Sequence, residues 1–208
     1  MVDKKAYLLD DRDRADDVRN PKPEIRNTTM VDTSDTSEQS FRKAREAALR
    51  YLSFRARTRQ EVEEKLREKD FDENAVHRAV ERLEELRLID DAEFAREWIR
   101  SRQRKGPVGR RRLALELRNK GVSGDVAEKA LDELLEGIDP YTSAVSRLRR
   151  YRLRYACLDR TAALRRMMGL LDRWGFDGEI ARRASIQIWN EWSEDDIKGD
   201  QGDLSEVF

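Results

Sequence analysis

Guanidinium groups dominate the chemistry this chain can offer. Each presents a planar fork of donors that matches a carboxylate or a phosphate with two parallel hydrogen bonds. They occur here in two dense runs. The first comprises Arg102, Arg104, Lys105, Arg110, Arg111, Arg112 and Arg118; the second comprises Arg147, Arg149, Arg150, Arg152 and Arg154, interleaved with Tyr151 and Tyr155. Residues 96–120 hold 10 basic side chains against 2 acidic, and residues 142–173 hold 9 against 2. Both runs are contact candidates for an acidic protein surface or a DNA backbone, and the tyrosines of the second can add aromatic packing. A solvated helical face accounts for the same composition without any partner.

Other reactive groupings are absent from the sequence. One cysteine, Cys157, and one histidine, His77, exclude an internal disulfide, a C-x-x-C centre and a His/Cys zinc cluster. Cys157 reads as a packing residue and His77 as a surface residue of a charged helix. Asp90 and Asp91 are adjacent carboxylates, but Asp90 stands where a helix cap is expected and no partner base accompanies it. There is no Ser-His-acid arrangement and no Gly-x-x-x-x-Gly-Lys phosphate loop. The expectation is a non-enzyme with no cofactor and no metal.

The 43 basic and 43 acidic residues sum to zero charge, but they are segregated. Residues 1–40 carry 7 basic and 10 acidic side chains, with the polar string from Thr28 to Ser40, and read as a disordered extension. Residues 193–208 carry 1 basic and 6 acidic, with Gly199 and Gly202 expected to interrupt any helix, and read as an acidic tail. Residues 41–192 are left with 35 basic against 27 acidic, about +8. A net charge of zero therefore does not argue against a polyanionic partner. With no run of about 18 apolar residues and no signal-peptide pattern, the chain is expected to be soluble, cytoplasmic and without a membrane partner.

The elements that must position these arginines are helical, because the apolar residues of 41–192 recur every three or four positions with almost no strand-like alternation. Three stretches share one layout, in which an apolar residue lies four before a leucine and another five after it: Val62, Leu66, Phe71; Leu113, Leu117, Val122; Met167, Leu171, Phe176. A short polar residue follows each, Asp72, Ser123 or Asp177, as a helix cap. Thr58-x-x-Glu61 and Asp90-x-x-Glu93 fit capping boxes. Further helices precede the copies at Phe41 to Phe54, Phe94 to Ser101 and Ala144 to Tyr155. Leucine anchors spaced by 51 and 54 residues match tandem three-helix units. The fold class is all-α: three tandem three-helix repeats, 41–89, 90–139 and 140–192, forming an elongated, curved rod. Phe94 and Trp98, four apart on one face, read as core, as does Trp174. The stretch Arg102 to Arg112, with two glycines and Pro107, is expected to be an exposed loop, and Gly137 to Pro140 a second joint. No heptad seam is evident, so a monomer is expected.

These features together resemble the bacterial RecX family, regulators of the RecA recombinase. The likeness is carried by LRLIDDAEFAREWIRSR (Leu86 to Arg102), GRRRLALELRNKGV (Gly109 to Val122), YLSFRARTRQEVEEKLREKDF (Tyr51 to Phe71) and, in the third unit, Trp174-Gly175-Phe176. It spans about residues 41–192, leaving the extension and the acidic tail outside. The resemblance implies a non-catalytic protein that binds the RecA filament in its groove on DNA and limits filament growth, ATPase and strand exchange. DNA repair, recombination and the SOS response are the implied setting. The alternative is a helical module that binds single- or double-stranded DNA without regard to sequence.

Overall fold

The structure, a computed structural model, describes residues 33–155 and 157–202. Among the described residues there are ten α-helices and no strand. The first group is α1 (Thr33–Leu52), α2 (Arg59–Arg67) and α3 (Glu73–Glu85). The second is α4 (Asp91–Arg104), α5 (Arg110–Arg118) and α6 (Gly124–Leu135). The third is α7 (Pro140–Arg149), the short α8 (Arg152–Tyr155), α9 (Arg160–Arg173) and α10 (Gly178–Gly202). Every extensive helix packing lies within a group, and each group has its own core. Ala44, Val62, Leu66, Val76, Val80 and Leu83 belong to the first, Phe94, Ile99, Leu113, Leu117, Val122 and Leu131 to the second, and Leu148, Met167, Leu171, Phe176, Ala184 and Ile188 to the third. Tandem three-helix packing is the architecture.

The shared leucine-plus-five pattern has a local cause. In each copy the amide of the fifth residue donates to the leucine carbonyl: Phe71 to Leu66 (3.4 Å), Val122 to Leu117 (3.1 Å) and Phe176 to Leu171 (3.1 Å). The preceding residue is left-handed, Asp70 at φ 59°, Gly121 at 81° and Gly175 at 78°, and its own amide closes the inner bond of the pair. This is the Schellman helix end, which requires positive φ and brings its flanking apolar residues together. The same motif thus stops the middle helix of each unit and turns the chain into the next.

Caps begin most of the helices that follow. Asp72, Asp90, Asp139 and Asp159 each accept an amide hydrogen bond two or three residues on, and Asp177 accepts from the amide of Glu179 at 2.9 Å. Ser123 occupies the cap position of α6 but makes no such bond, so that expected cap is positional only. Thr58 accepts from the Glu61 amide at 3.2 Å. The Glu61 carboxylate does not complete the box; it binds Arg55 and Lys120 instead.

The expected extension and tail also need correction. Helix α1 begins at Thr33, within the stretch expected to be disordered, because its polar residues find partners on the first unit: Glu38 pairs with Arg78 at 2.8 Å and Ser40 donates to Asp72 at 2.6 Å. Residues 1–32 of that extension lie outside the described residues. Helix α10 continues through Gly199 to Gly202; an isolated glycine costs a helix only about 1 kcal/mol, and Ala181, Ala184, Ile188 and Trp192 anchor the helix in the third core. Residues 203–208 lie outside the description. The single helix expected over 144–155 is divided at Arg150 and Tyr151, where the Tyr151 amide closes a tighter turn on Leu148. Cys157 is exposed rather than packed.

Candidate functional site

The stretch Arg102 to Arg112 is the largest departure from expectation. Its ends are helical, and between them Gly106, Val108 and Gly109 are buried. The Gln103 side chain holds both backbone groups of Val108, at 3.0 and 3.1 Å. The Gly109 amide donates to the Trp174 carbonyl at 2.8 Å. A side chain at Gly109 would run into the backbone of Gly175 and Phe176, and one at Gly175 would meet the Arg112 backbone. The loop is therefore a seat for the third unit, with two glycines allowing the backbones to touch.

Around this seat the basic residues are sorted by their partners. Arg102 binds Glu116 through two hydrogen bonds at 2.6 and 2.7 Å; Arg112 reaches the same carboxylate at 2.8 Å, and the Trp98 indole donates to it at 3.2 Å. Burial alone pushes the Glu116 carboxyl up, but these donors outweigh it and hold it below the usual glutamate range. Arg110 pairs with both Glu128 and Asp132, and those hydrogen bonds raise its pKa. Arg111 reaches across to Asp172 of α9 at 3.0 Å. Arg149 binds Glu191 of α10 at 3.1 Å.

Arg147 is buried, with its guanidinium carbon 3.3 Å from the centre of the Trp174 ring. Arg102 faces the same ring at 5.9 Å. Burial foremost lowers the Arg147 pKa, with Arg150 and Arg102 adding to the effect and Tyr151 opposing it; its Nε has no hydrogen-bond partner among the described residues. Arg150 donates to the Lys105 carbonyl at 2.9 Å. Arg147, Arg150, Arg102 and Lys105 thus build the joint between the second and third units. Arg104, Lys105 and Arg118 have exposed side chains, Arg152 is half-buried, and Arg154 is exposed beside Tyr151 at 5.5 Å.

The residues read as structural take up core or near-core positions. Leu66, Leu117, Leu171, Val122 and Phe176 are buried. Phe71, Trp98 and Trp174 are half-buried against the cores. Phe94 is buried and stacks on Trp98 with ring centres 6.0 Å apart, while Asp90 caps α4.

What remains open is a groove of about 660 Å³ between α5, α6 and the end of α9, lined by Arg111, Arg112, Arg118 and Arg173 together with Glu128 and Asp172. Arg173 also lines a second cleft on α9 with Arg154, Arg165 and Arg166. These α9 arginines lie within the basic segment 142–173 but outside the contact candidates. The available signal was their i, i+7 or i+8 spacing about Gly169. Among the described residues no group of three His, Cys, Asp or Glu is placed to hold a metal ion, and no helix is long and apolar enough to cross a membrane.

An all-helical tandem of three-helix units, each with its own core, with an arginine-lined groove between α5, α6 and the end of α9, defines the class of tandem three-helix repeat proteins. Residues 44–83 match the family description of the RecX first three-helix domain, and residues 90–131 match that of the second. The chain is 38% identical to the regulatory protein RecX of Mycolicibacterium smegmatis over 156 residues, which cover 71% of this chain and 81% of that protein. It is 36% identical to the RecX of Streptomyces coelicolor, over 76% of this chain and 85% of that one. The crystal structure of RecX from Lactobacillus salivarius superposes with a TM-score of 0.64 at 27% identity, covering 73% of this chain and 97% of that one. A second RecX crystal structure gives a TM-score of 0.66 at 22% identity and speaks to the fold. The chain belongs to the RecX family.

Proposed function

We propose that this chain is a non-catalytic modulator, chiefly an inhibitor, of the RecA recombinase. It lodges in the groove of the RecA–DNA filament and limits filament growth, ATPase and strand exchange. The observation that carries the reading is the open groove between the second and third units, lined by Arg111, Arg112, Arg118 and Arg173, on a chain that belongs to the RecX family. A tandem array of units bearing such a groove, with Arg118 and Arg173 exposed in it, suits contact with several subunits of a helical polymer at once, because each unit can address a different copy. In this reading the units 41–89, 90–139 and 140–192 act as separate lobes of a cytoplasmic monomer. RecA-dependent ATPase and strand exchange, measured with increasing amounts of the chain, should both fall; unchanged activity at saturating protein would overturn the reading.

A second reading, a sequence-independent DNA-binding module, is supported by the exposed arginines of α9. No middle helix carries the Asn, Gln and Arg mixture suited to base-edge contacts. Inhibition of RecA with no DNA binding by the chain alone separates the first reading from the second.

A further inference from the structure

Among the described residues, no carboxylate answers the exposed arginines of the cleft on α9. Arg154 of α8 and Arg165, Arg166 and Arg173 of α9 line it, all four are exposed, and among the described residues none forms an ion pair. The two acidic residues of this segment are occupied elsewhere: Asp159 accepts the amide of Ala162 at 2.9 Å as the cap of α9, and Asp172 is held by Arg111 at 3.0 Å. The guanidiniums also converge electrostatically. Burial foremost pushes the Tyr155 phenol up, while Arg154, Arg173 and Arg166 each pull it down, so three of the four act on one buried ring beneath the cleft.

The spacing selects among anions. Arg166 and Arg173 stand two turns apart on one face of α9, roughly 10 Å along the axis at about 1.5 Å per residue. Between them Gly169 removes the intervening side chain; a Cβ there would meet only Arg173, at 3.5 Å. A single carboxylate is satisfied by one bidentate arginine, whereas a separated row of unanswered charges suits a ligand whose own charge repeats, such as a nucleic-acid strand. An acidic peptide offers the same guanidiniums a match, but the two large apolar residues here, Tyr155 and Leu170, are buried in the third core and leave it no apolar anchor; the titration below distinguishes the two.

We infer that this cleft is a phosphodiester site, in which Arg154, Arg166 and Arg173, flanked by Arg165, engage successive phosphates of a nucleic-acid strand laid along α9 over Gly169, without reading bases. Arg173 joins it to the groove between the units, so the strand can continue from one to the other. The inference rests on the DNA-binding reading and gives it a site, and it does not depend on the recombinase reading: no DNA binding by the unaltered chain would overturn both the DNA-binding reading and the site, whereas DNA binding that survives loss of the α9 arginines would overturn the site alone.

The test titrates the full chain against a fluorescently labelled oligothymidine, and against a duplex of equal length, by anisotropy at several salt concentrations. Arg166→Ala with Arg173→Ala should weaken binding and lower the steepness of log K against log salt by about 0.7 per lost phosphate contact on the single strand, or about 0.9 on the duplex. Arg166→Ala alone should remove one such increment, with an unchanged melting temperature. Arg42→Ala with Arg50→Ala, which removes two exposed arginines of α1, should bind as the unaltered chain does. Wild-type affinity and salt dependence in the α9 double variant would overturn the inference, as would an equal loss in the α1 control. With polyglutamate titrated in parallel, an α9 double variant that keeps DNA binding but loses polyglutamate binding would overturn it too, by assigning the cleft to an acidic protein segment.

Discussion

The arginines of α5 and those of α9 have the same chemistry and opposite circumstances. In the first turn of α5 they are spoken for: Arg110 by Glu128 and Asp132, Arg111 by Asp172, and Arg112 by Glu116, which Arg102 also binds; Arg118, at the helix's end, is exposed. On α9, Arg165, Arg166 and Arg173 face solvent without a carboxylate among the described residues. A cluster's charge in the sequence is thus a poor guide to its availability. The paired α5 arginines brace the second unit, and Arg111 ties it to the third; the α9 set has no carboxylate partner among the described residues.

The comparison breaks most severely at Trp174, on whose ring the buried Arg147 rests. Trp174→Ala should remove about 3 kcal/mol or more of unfolding free energy in urea titration, because a large core-facing ring is lost and a buried cation is stripped of its cover. Glu116→Ala comes next, at about 2–3 kcal/mol, since Arg102, Arg112 and the Trp98 indole lose their common acceptor in a part-buried site. The same carboxylate sets a pH dependence. Its folded pKa is depressed, so its contribution is complete above the unfolded glutamate value of about 4.3 and is lost as pH falls through the folded value. Glu116→Gln should accordingly flatten the acid limb of the stability curve.

Arg110→Ala should cost less than about 1 kcal/mol, because its pairs with Glu128 and Asp132 are substantially solvent-exposed. Arg166→Ala should change stability by no more than about 0.5 kcal/mol, as expected of an exposed side chain without a partner. A loss at Arg166 as large as that at Glu116 would show that α9 is structural after all and erase the contrast.

Much of the fold was legible beforehand because it rests on local physics. Val62, Leu66 and Phe71 and their counterparts mark a helix end whose left-handed residue and backward hydrogen bond involve only near neighbours in sequence. The aspartate caps are equally local. Where a distant segment supplies the partner, the structure departs from the local pattern. The α1 start depended on Arg78 and Asp72, and the supposedly exposed loop at Gly106 to Gly109 was buried by Trp174 and Gly175 from the third unit. Arg147, taken with its neighbours as a contact candidate, turned inward for the same reason.

The three-helix repeat and the helix ends at Leu66, Leu117 and Leu171 follow from side-chain periodicity and backbone conformation within a few residues, and so are written in the sequence. Only the tertiary structure decided which guanidiniums meet carboxylates 14 to 61 residues away, as Arg102 meets Glu116 and Arg111 meets Asp172. Pairing of that kind depends on how distant segments pack, and packing between the second and third units turns on the close approach of Gly109 to Gly175 and the Gly109 amide's bond to the Trp174 carbonyl.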